Sequence, residues 1–103
     1  MITENSQLDE FINEQLQLNF DLIIRDEFSE ITKNLLIEKI IFLLVNDFEK
    51  LRNILYRIDV NEKKVKELFA QNNPKLIAPR IVDLIIERLK EKAESRLKYK
   101  NTV

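Results

Sequence analysis

The fold of this chain is decided by the stretch LLIEKIIFLLV, which runs from Leu35 to Val45. Its eleven residues are apolar except for Glu38 and Lys39, whereas a membrane crossing needs about 20 consecutive apolar residues. Placed on a helix, the apolar positions cover the surface almost all round, which is typical of a helix wrapped by others. The stretch therefore predicts a buried helix at the centre of a helical bundle.

The region that follows predicts a second, amphipathic helix. Its apolar residues recur in steps of three and four at Phe48, Leu51, Leu55 and Ile58. Asn46 and Asp47 are both good N-cap residues, so one helix can stop and another restart there. The sequence leaves open whether residues 35–58 form one helix or two.

Two more helices are predicted in the C-terminal half. Asp59 with Glu62 resembles a capping box for a short helix with apolar residues Val65, Leu68 and Phe69. Prolines bias the residues before them away from helical geometry. We therefore expect a turn between Pro74 and Pro79, and a last helix that begins near Pro79 and continues through Leu97.

The N-terminal segment carries two patterns. Ser6 with Asp9 resembles a capping box, followed by apolar residues at helical spacing up to Leu16. From Leu16 to Leu22 apolar and polar residues alternate, which is the period of a half-buried strand. No partner strand is evident, so we favour an irregular linker that inserts its apolar side chains into the bundle, with a hairpin as the alternative.

Together these patterns predict a single all-α domain over residues 1–103, a compact bundle of four to five helices. A short extended segment near residues 16–22 remains open. The chain is 45% apolar and 34% charged, far from the composition of disordered chains.

Four residue types are absent: glycine, histidine, cysteine and tryptophan. Glycine-rich phosphate loops, the usual zinc sites and His- or Cys-based catalysis are therefore excluded. Carboxylates at Glu38, Asp47, Asp83 and Glu87 resemble a di-iron set only weakly, because such sites need histidines. We expect a non-enzymatic protein with no cofactor and no metal.

Charge is distributed unevenly along the chain. The first thirty residues contain eight acids and one base, which argues against a signal peptide, and the cysteine-free composition suits the cytoplasm. We expect the acidic segment to lie against the basic C-terminal helix. The alternative is an exposed basic face that binds nucleic acid or another acidic partner, with Arg88, Lys92 and Arg96 as its candidates.

Two further surfaces follow from local composition. Tyr56, Arg57 and Arg80 are candidates for a small anion-binding pocket, although the helix dipole alone favours Arg57 at a helix end. The large supply of leucine, isoleucine and valine exceeds what one small bundle hides, which favours a homodimer. The last helix, or Phe42, Leu43 and Val45, would form its interface.

Two stretches carry a resemblance to a known group of proteins, LLVNDFEKL with LYRIDV (43–60) and IAPRI with LIIER (77–88). Together they resemble a group of small uncharacterised bacterial helical proteins over about half of the chain. The resemblance implies an intracellular bacterial protein without an assigned activity, and it transfers no catalytic residues.

Overall fold

The computed structural model describes residues 4–24 and 29–100, and the side chains of residues 7–24 and 29–98. These residues form five α-helices: α1 (Glu4–Phe20), α2 (Glu30–Asn46), α3 (Phe48–Ile58), α4 (Glu62–Phe69) and α5 (Pro74–Lys100). No strand occurs among them. The predicted all-α bundle of four to five helices is confirmed.

The central element is α5. Each of the other four helices packs against it, and Ala78, Ile81, Val82, Ile85 and Leu89 along its length are all buried. At 27 residues it is also the longest helix among the described residues, which gives it enough length to contact all the others. All five helices contribute to one apolar core around it.

The prediction that Leu35–Val45 forms the wrapped centre is wrong. Leu36, Ile40 and Leu43 form the buried face of α2, which packs mainly on α5. On the other side of the same helix, Phe42 and Val45 are exposed. Apolar residues on every side of a helix do not indicate which sides pack against other helices. In α2, one broad side packs against the core and the opposite side is exposed.

The N-terminal helix begins earlier and runs further than its sequence pattern predicts. It already includes Glu4, so a cap at Ser6 is wrong, and residues 16–20 are helical. Leu16 and Phe20 lie four residues apart on the buried face, while Leu18 between them is exposed. A short alternation of apolar and polar residues also fits a helix, because residues four apart, such as Leu16 and Phe20, lie on the same helix face. Residues 21–24 are irregular, and of the predicted linker Leu22 packs against the core as expected. Ile24, outside the predicted linker, also packs there.

Residues 35–58 form two helices rather than one, separated at Asp47. The Asp47 side chain accepts a hydrogen bond from the backbone N–H of Lys50 at 3.2 Å and so caps α3. The side-chain amide of Asn46 donates to the carbonyl of Phe42 at 3.0 Å, at the end of α2. Each of the two predicted capping residues thus serves a different helix.

Asp59 was expected to cap α4, and this is wrong. Asp59 ends α3 in the left-handed conformation with φ 66°, and its N–H bonds back to the carbonyls of Leu55 and Tyr56. The side chain of Asn61 caps α4 by accepting from the N–H of Lys64 at 3.1 Å. Asp tolerates the left-handed region better than most residues, which suits Asp59, whereas Asn61 has an ordinary φ of −54° and serves as an N-cap through its side-chain oxygen.

The predicted turn between Pro74 and Pro79 is also wrong, because α5 begins at Pro74. The side chain of Asn73 accepts from the N–H of Leu76 at 3.4 Å and caps the helix. Pro79 therefore lies inside the helix, where its missing N–H leaves the carbonyl of Lys75 without its helical donor. Burial of the apolar residues on either side of Pro79 offsets that cost.

Candidate functional site

The most prominent surface feature is a line of large apolar side chains on α2. We call it the α2 stripe and define it by Ile31, Leu35, Phe42 and Val45, whose exposed fractions lie between 41% and 74%. Their spacing of four, seven and three residues places them along one helix face, as in the seam of a coiled coil. Glu38 occupies the position that the pattern leaves vacant. The stripe therefore has the pattern of a helix-packing surface.

The stripe lies opposite the buried face of the same helix. Each step of 3.6 residues returns to the same side, so Leu36, Ile40 and Leu43 face the core while the stripe faces away. The Nζ atom of Lys39 lies 5.6 Å from the centroid of the Phe42 ring. A cation over the face of an exposed aromatic ring covers part of its apolar area and remains able to move aside.

A second apolar surface lies between α3 and α4. We call it the α3–α4 groove, a depression of about 680 Å³. Its apolar lining consists of Phe48, Leu55, Tyr56, Val60, Val65 and Phe69. The rings of Phe48 and Phe69 meet edge to face with centroids 4.7 Å apart and planes at 62°. The groove has the size and the aromatic lining that binding sites commonly have.

Two cations accompany the groove, one on each helix. Arg52 pairs with Glu49 at 3.8 Å and Lys66 with Glu62 at 3.5 Å, and all four side chains are mostly exposed. Exposed pairs along one helix contribute little free energy and exchange partners readily. Both cations can therefore turn toward an acidic group that enters the groove.

Of the three residues predicted as a basic face, Arg88 is engaged within the chain. Its guanidinium lies 3.2 Å from the Asp59 carboxylate and 3.0 Å from that of Glu91, and its Nε donates to the Asp59 carbonyl at 3.1 Å. These contacts tie the end of α3 to α5. A phosphate would have to displace them.

The other two residues lie nearer the C-terminal end of α5. Lys92 is half-buried, and the guanidinium of Arg96 lies 5.5 Å from the centroid of the Phe11 ring on α1. Arg96 also lines a depression of about 200 Å³ together with Glu10 and Glu14. The acidic α1 thus packs against the basic α5, as the charge pattern predicts.

The residues predicted as an anion pocket line different parts of the surface. Tyr56 lines the α3–α4 groove, Arg57 a depression next to α1, and Arg80 a depression between α4 and α5. None of these depressions contains two of the three residues. The structure therefore does not bring them together into one pocket.

The carboxylates singled out in the sequence are also spread over the molecule. The Nζ atom of Lys33 on α2 lies 3.1 Å from the Asp83 carboxylate on α5, and this hydrogen bond raises the pKa of Lys33 above its ordinary value. Glu38 lies within the α2 stripe, and Asp47 caps α3. Within the described residues no three acidic side chains are grouped as metal ligands.

Comparisons of this chain with family models, with curated proteins and with solved structures give no match. The resemblance to small bacterial helical proteins therefore stays a prediction. None of the helices that the structure describes combines the length and the apolar character needed to cross a bilayer.

The sequence predicts part of the α2 stripe. It named Phe42 and Val45, which are exposed, and Leu43, which is buried in the core and cannot contact a partner. It did not single out Ile31, and it placed Leu35 in the buried central helix. The available signal was the repeat of four, seven and three residues, which continues past the positions that pack on α5.

Proposed function

We propose that this protein is a non-enzymatic interaction module that forms a homodimer through the α2 stripe. The observation that carries the proposal is the exposure of four large apolar side chains, which lie in a line on one face of α2. Water contact with such a line is unfavourable, and contact with a second copy of the chain removes it without any other component.

The chemistry of the chain supports an interaction role over a catalytic one. Without histidine and cysteine, only carboxylates, lysines and hydroxyls remain for catalysis. The proposal includes a cytoplasmic location, since a cysteine-free chain suits a reducing compartment. It also keeps the bacterial origin that the resemblance implies.

The competing function, binding of nucleic acid or another acidic partner through Arg88, Lys92 and Arg96, has less support. Arg88 is held by Asp59 and Glu91, and Arg96 lies against the acidic α1. Positive charge that is already paired with acids, as that of Arg88 is, adds little to the attraction of a polyanion.

The test is the native mass measured by light scattering across protein concentration. We expect the wild-type chain of 12.3 kDa to double its mass at concentrations of about 10 µM. Phe42→Glu combined with Val45→Glu should leave a folded monomer, because two carboxylates cannot be buried in an apolar contact without large cost.

The matched control is Leu18→Glu. Leu18 is 74% exposed on α1, as exposed as Ile31 at the start of the stripe, so Leu18→Glu places a carboxylate at an accessible apolar site outside the stripe. This variant should remain a dimer. A monomeric wild type would overturn the proposal, and so would a Phe42→Glu/Val45→Glu variant that still dimerises.

A further inference from the structure

The α2 stripe alone is too small for a stable interface. A fully exposed large side chain offers at most about 250 Å², and the exposed fractions of 41% to 74% reduce this. The four side chains together therefore expose less than about 600 Å², whereas a stable complex buries about 800 Å² on each partner. A dimer that rests on the stripe needs a second apolar surface.

The α3–α4 groove is the apolar surface that lies next along the chain. Phe48, at 40% exposure, follows Val45 by only three residues, so the groove begins where the stripe ends. The two helices meet at the Phe48–Phe69 ring contact, and the groove beside it is lined by Tyr56, which is 76% exposed, so side chains can enter there. The accessible apolar lining of the groove is mostly aromatic, from Phe48, Tyr56 and Phe69, because Leu55, Val60 and Val65 are each less than 9% exposed.

Charge distinguishes the two surfaces. The stripe contains an acid at its middle, and within the described part of the chain Glu38 makes no ion pair. The groove is lined by two cations, Arg52 and Lys66, and by one acid, Glu62. Among the described residues, Arg52 pairs with Glu49 and Lys66 with Glu62, in exposed contacts along their own helices. An apolar row with a central acid is therefore complementary to an apolar groove whose lining carries a net positive charge.

We propose that the α2 stripe of one copy occupies the α3–α4 groove of a second copy, with Glu38 facing Arg52 and Lys66. This inference rests on the proposed homodimer and names its docking partner. Since each chain carries one stripe and one groove, a two-fold axis satisfies both contacts at once and closes the assembly as a dimer.

A charge exchange tests this arrangement. Glu38→Arg places a cation beside the cationic groove, and Arg52→Glu with Lys66→Glu places two acids beside the acidic stripe. Each variant alone should raise the dimer Kd at least about tenfold, because like charges then meet across the contact. An equimolar mixture of the two should restore the dimer, since both stripe–groove contacts of the mixed pair then join opposite charges.

The control is a single chain that carries all three substitutions. Its stripe is basic and its groove acidic, so it should dimerise by itself about as well as the wild type. The exchanged side chains are exposed, and circular dichroism checks that the variants keep their helices. A disulfide between Val45→Cys and Tyr56→Cys chains offers a second readout, because the protein has no cysteine of its own.

The outcomes separate this inference from the proposed function. A wild type that stays monomeric overturns both. A wild-type dimer whose charge variants still dimerise individually, or whose mixture fails to recover, leaves the homodimer in place and overturns the docking of stripe into groove. Recovery in the mixture together with the Val45–Tyr56 cross-link supports the inference.

Discussion

At the scale of single residues, the ion pair between Lys33 and Asp83 connects the two helices that pack most extensively in this fold. It joins α2 to α5 at 3.1 Å and lies beside the buried contacts of both helices. The Asp83 carboxylate accepts a hydrogen bond from Lys33, and this contact, aided by the charge of the carboxylate, raises the pKa of Lys33 from its ordinary 10.5. The pair therefore makes stability depend on pH.

The sign of that dependence follows from linkage. A lysine with a raised pKa in the folded state stabilises the fold below its ordinary pKa and loses this contribution as pH rises through the raised value. We expect Asp83→Asn to lower the free energy of unfolding at neutral pH, and the difference from wild type to vanish at a pH above the raised pKa of Lys33. Urea unfolding of both proteins at the two pH values measures it, and an unchanged difference at high pH would contradict the assignment.

At the scale of helices, the sequence predicts which segments are helical better than where the helices end. Asp47 was among the predicted caps because its side chain precedes an amphipathic run, and it does cap α3. The same rule failed at Asp59, since Asn61 fits two residues later and the chain needed Asp59 in a left-handed turn. Local propensity correctly predicts that an Asp or Asn caps each of these helices. Packing decides which of the neighbouring candidates takes the capping position.

The start of α5 contains a similar conflict between local propensity and packing, and the free energy involved can be measured. Pro79 occupies the interior of the helix and removes the bond to the carbonyl of Lys75. Pro79→Ala restores that donor, and we expect the free energy of unfolding to rise by about 1–2 kcal/mol after the greater freedom of the unfolded chain is subtracted.

The matched control is the other proline of the same helix. Pro74→Ala, at the first helical position where no bond is lost, should be neutral or slightly destabilising. Thermal and urea unfolding of the two variants gives the comparison. If Pro79→Ala stabilises no more than Pro74→Ala does, the helix tolerates the proline without cost and our account of it is wrong.

At the scale of the whole molecule, the central helix and the candidate interface were the parts that the sequence could not assign. The stretch Leu35–Val45 has the most apolar composition, yet α5 has more neighbours because of its length and position. Ile31 and Leu35 fit a core helix as well as an exposed stripe, since both environments require the same residue types. The partner that covers a surface is not encoded in the periodicity of one helix. The shape of the α3–α4 groove depends on how α3 and α4 diverge from each other, which no local sequence pattern predicts.

Charge is the property of the whole molecule that the sequence predicts best. The acidic N-terminal segment and the basic C-terminal helix meet in the folded chain, where Glu10 and Glu14 line the same depression as Arg96. We therefore expect the wild type to elute from heparin at low salt, because its positive charge is partly neutralised from within. Removing the charges of Glu10 and Glu14 should expose the positive electrostatic potential of α5 and strengthen retention on heparin.

The variant that tests this is Glu10→Gln with Glu14→Gln, and its control is Glu30→Gln with Glu67→Gln. Both raise the net charge by the same amount, but the control acids lie on α2 and α4 and do not line the Arg96 depression. Later elution of the first variant alone shows that α1 screens the basic helix. Equal shifts would mean that net charge governs binding, and strong retention of the wild type would favour the alternative of nucleic-acid binding over our prediction.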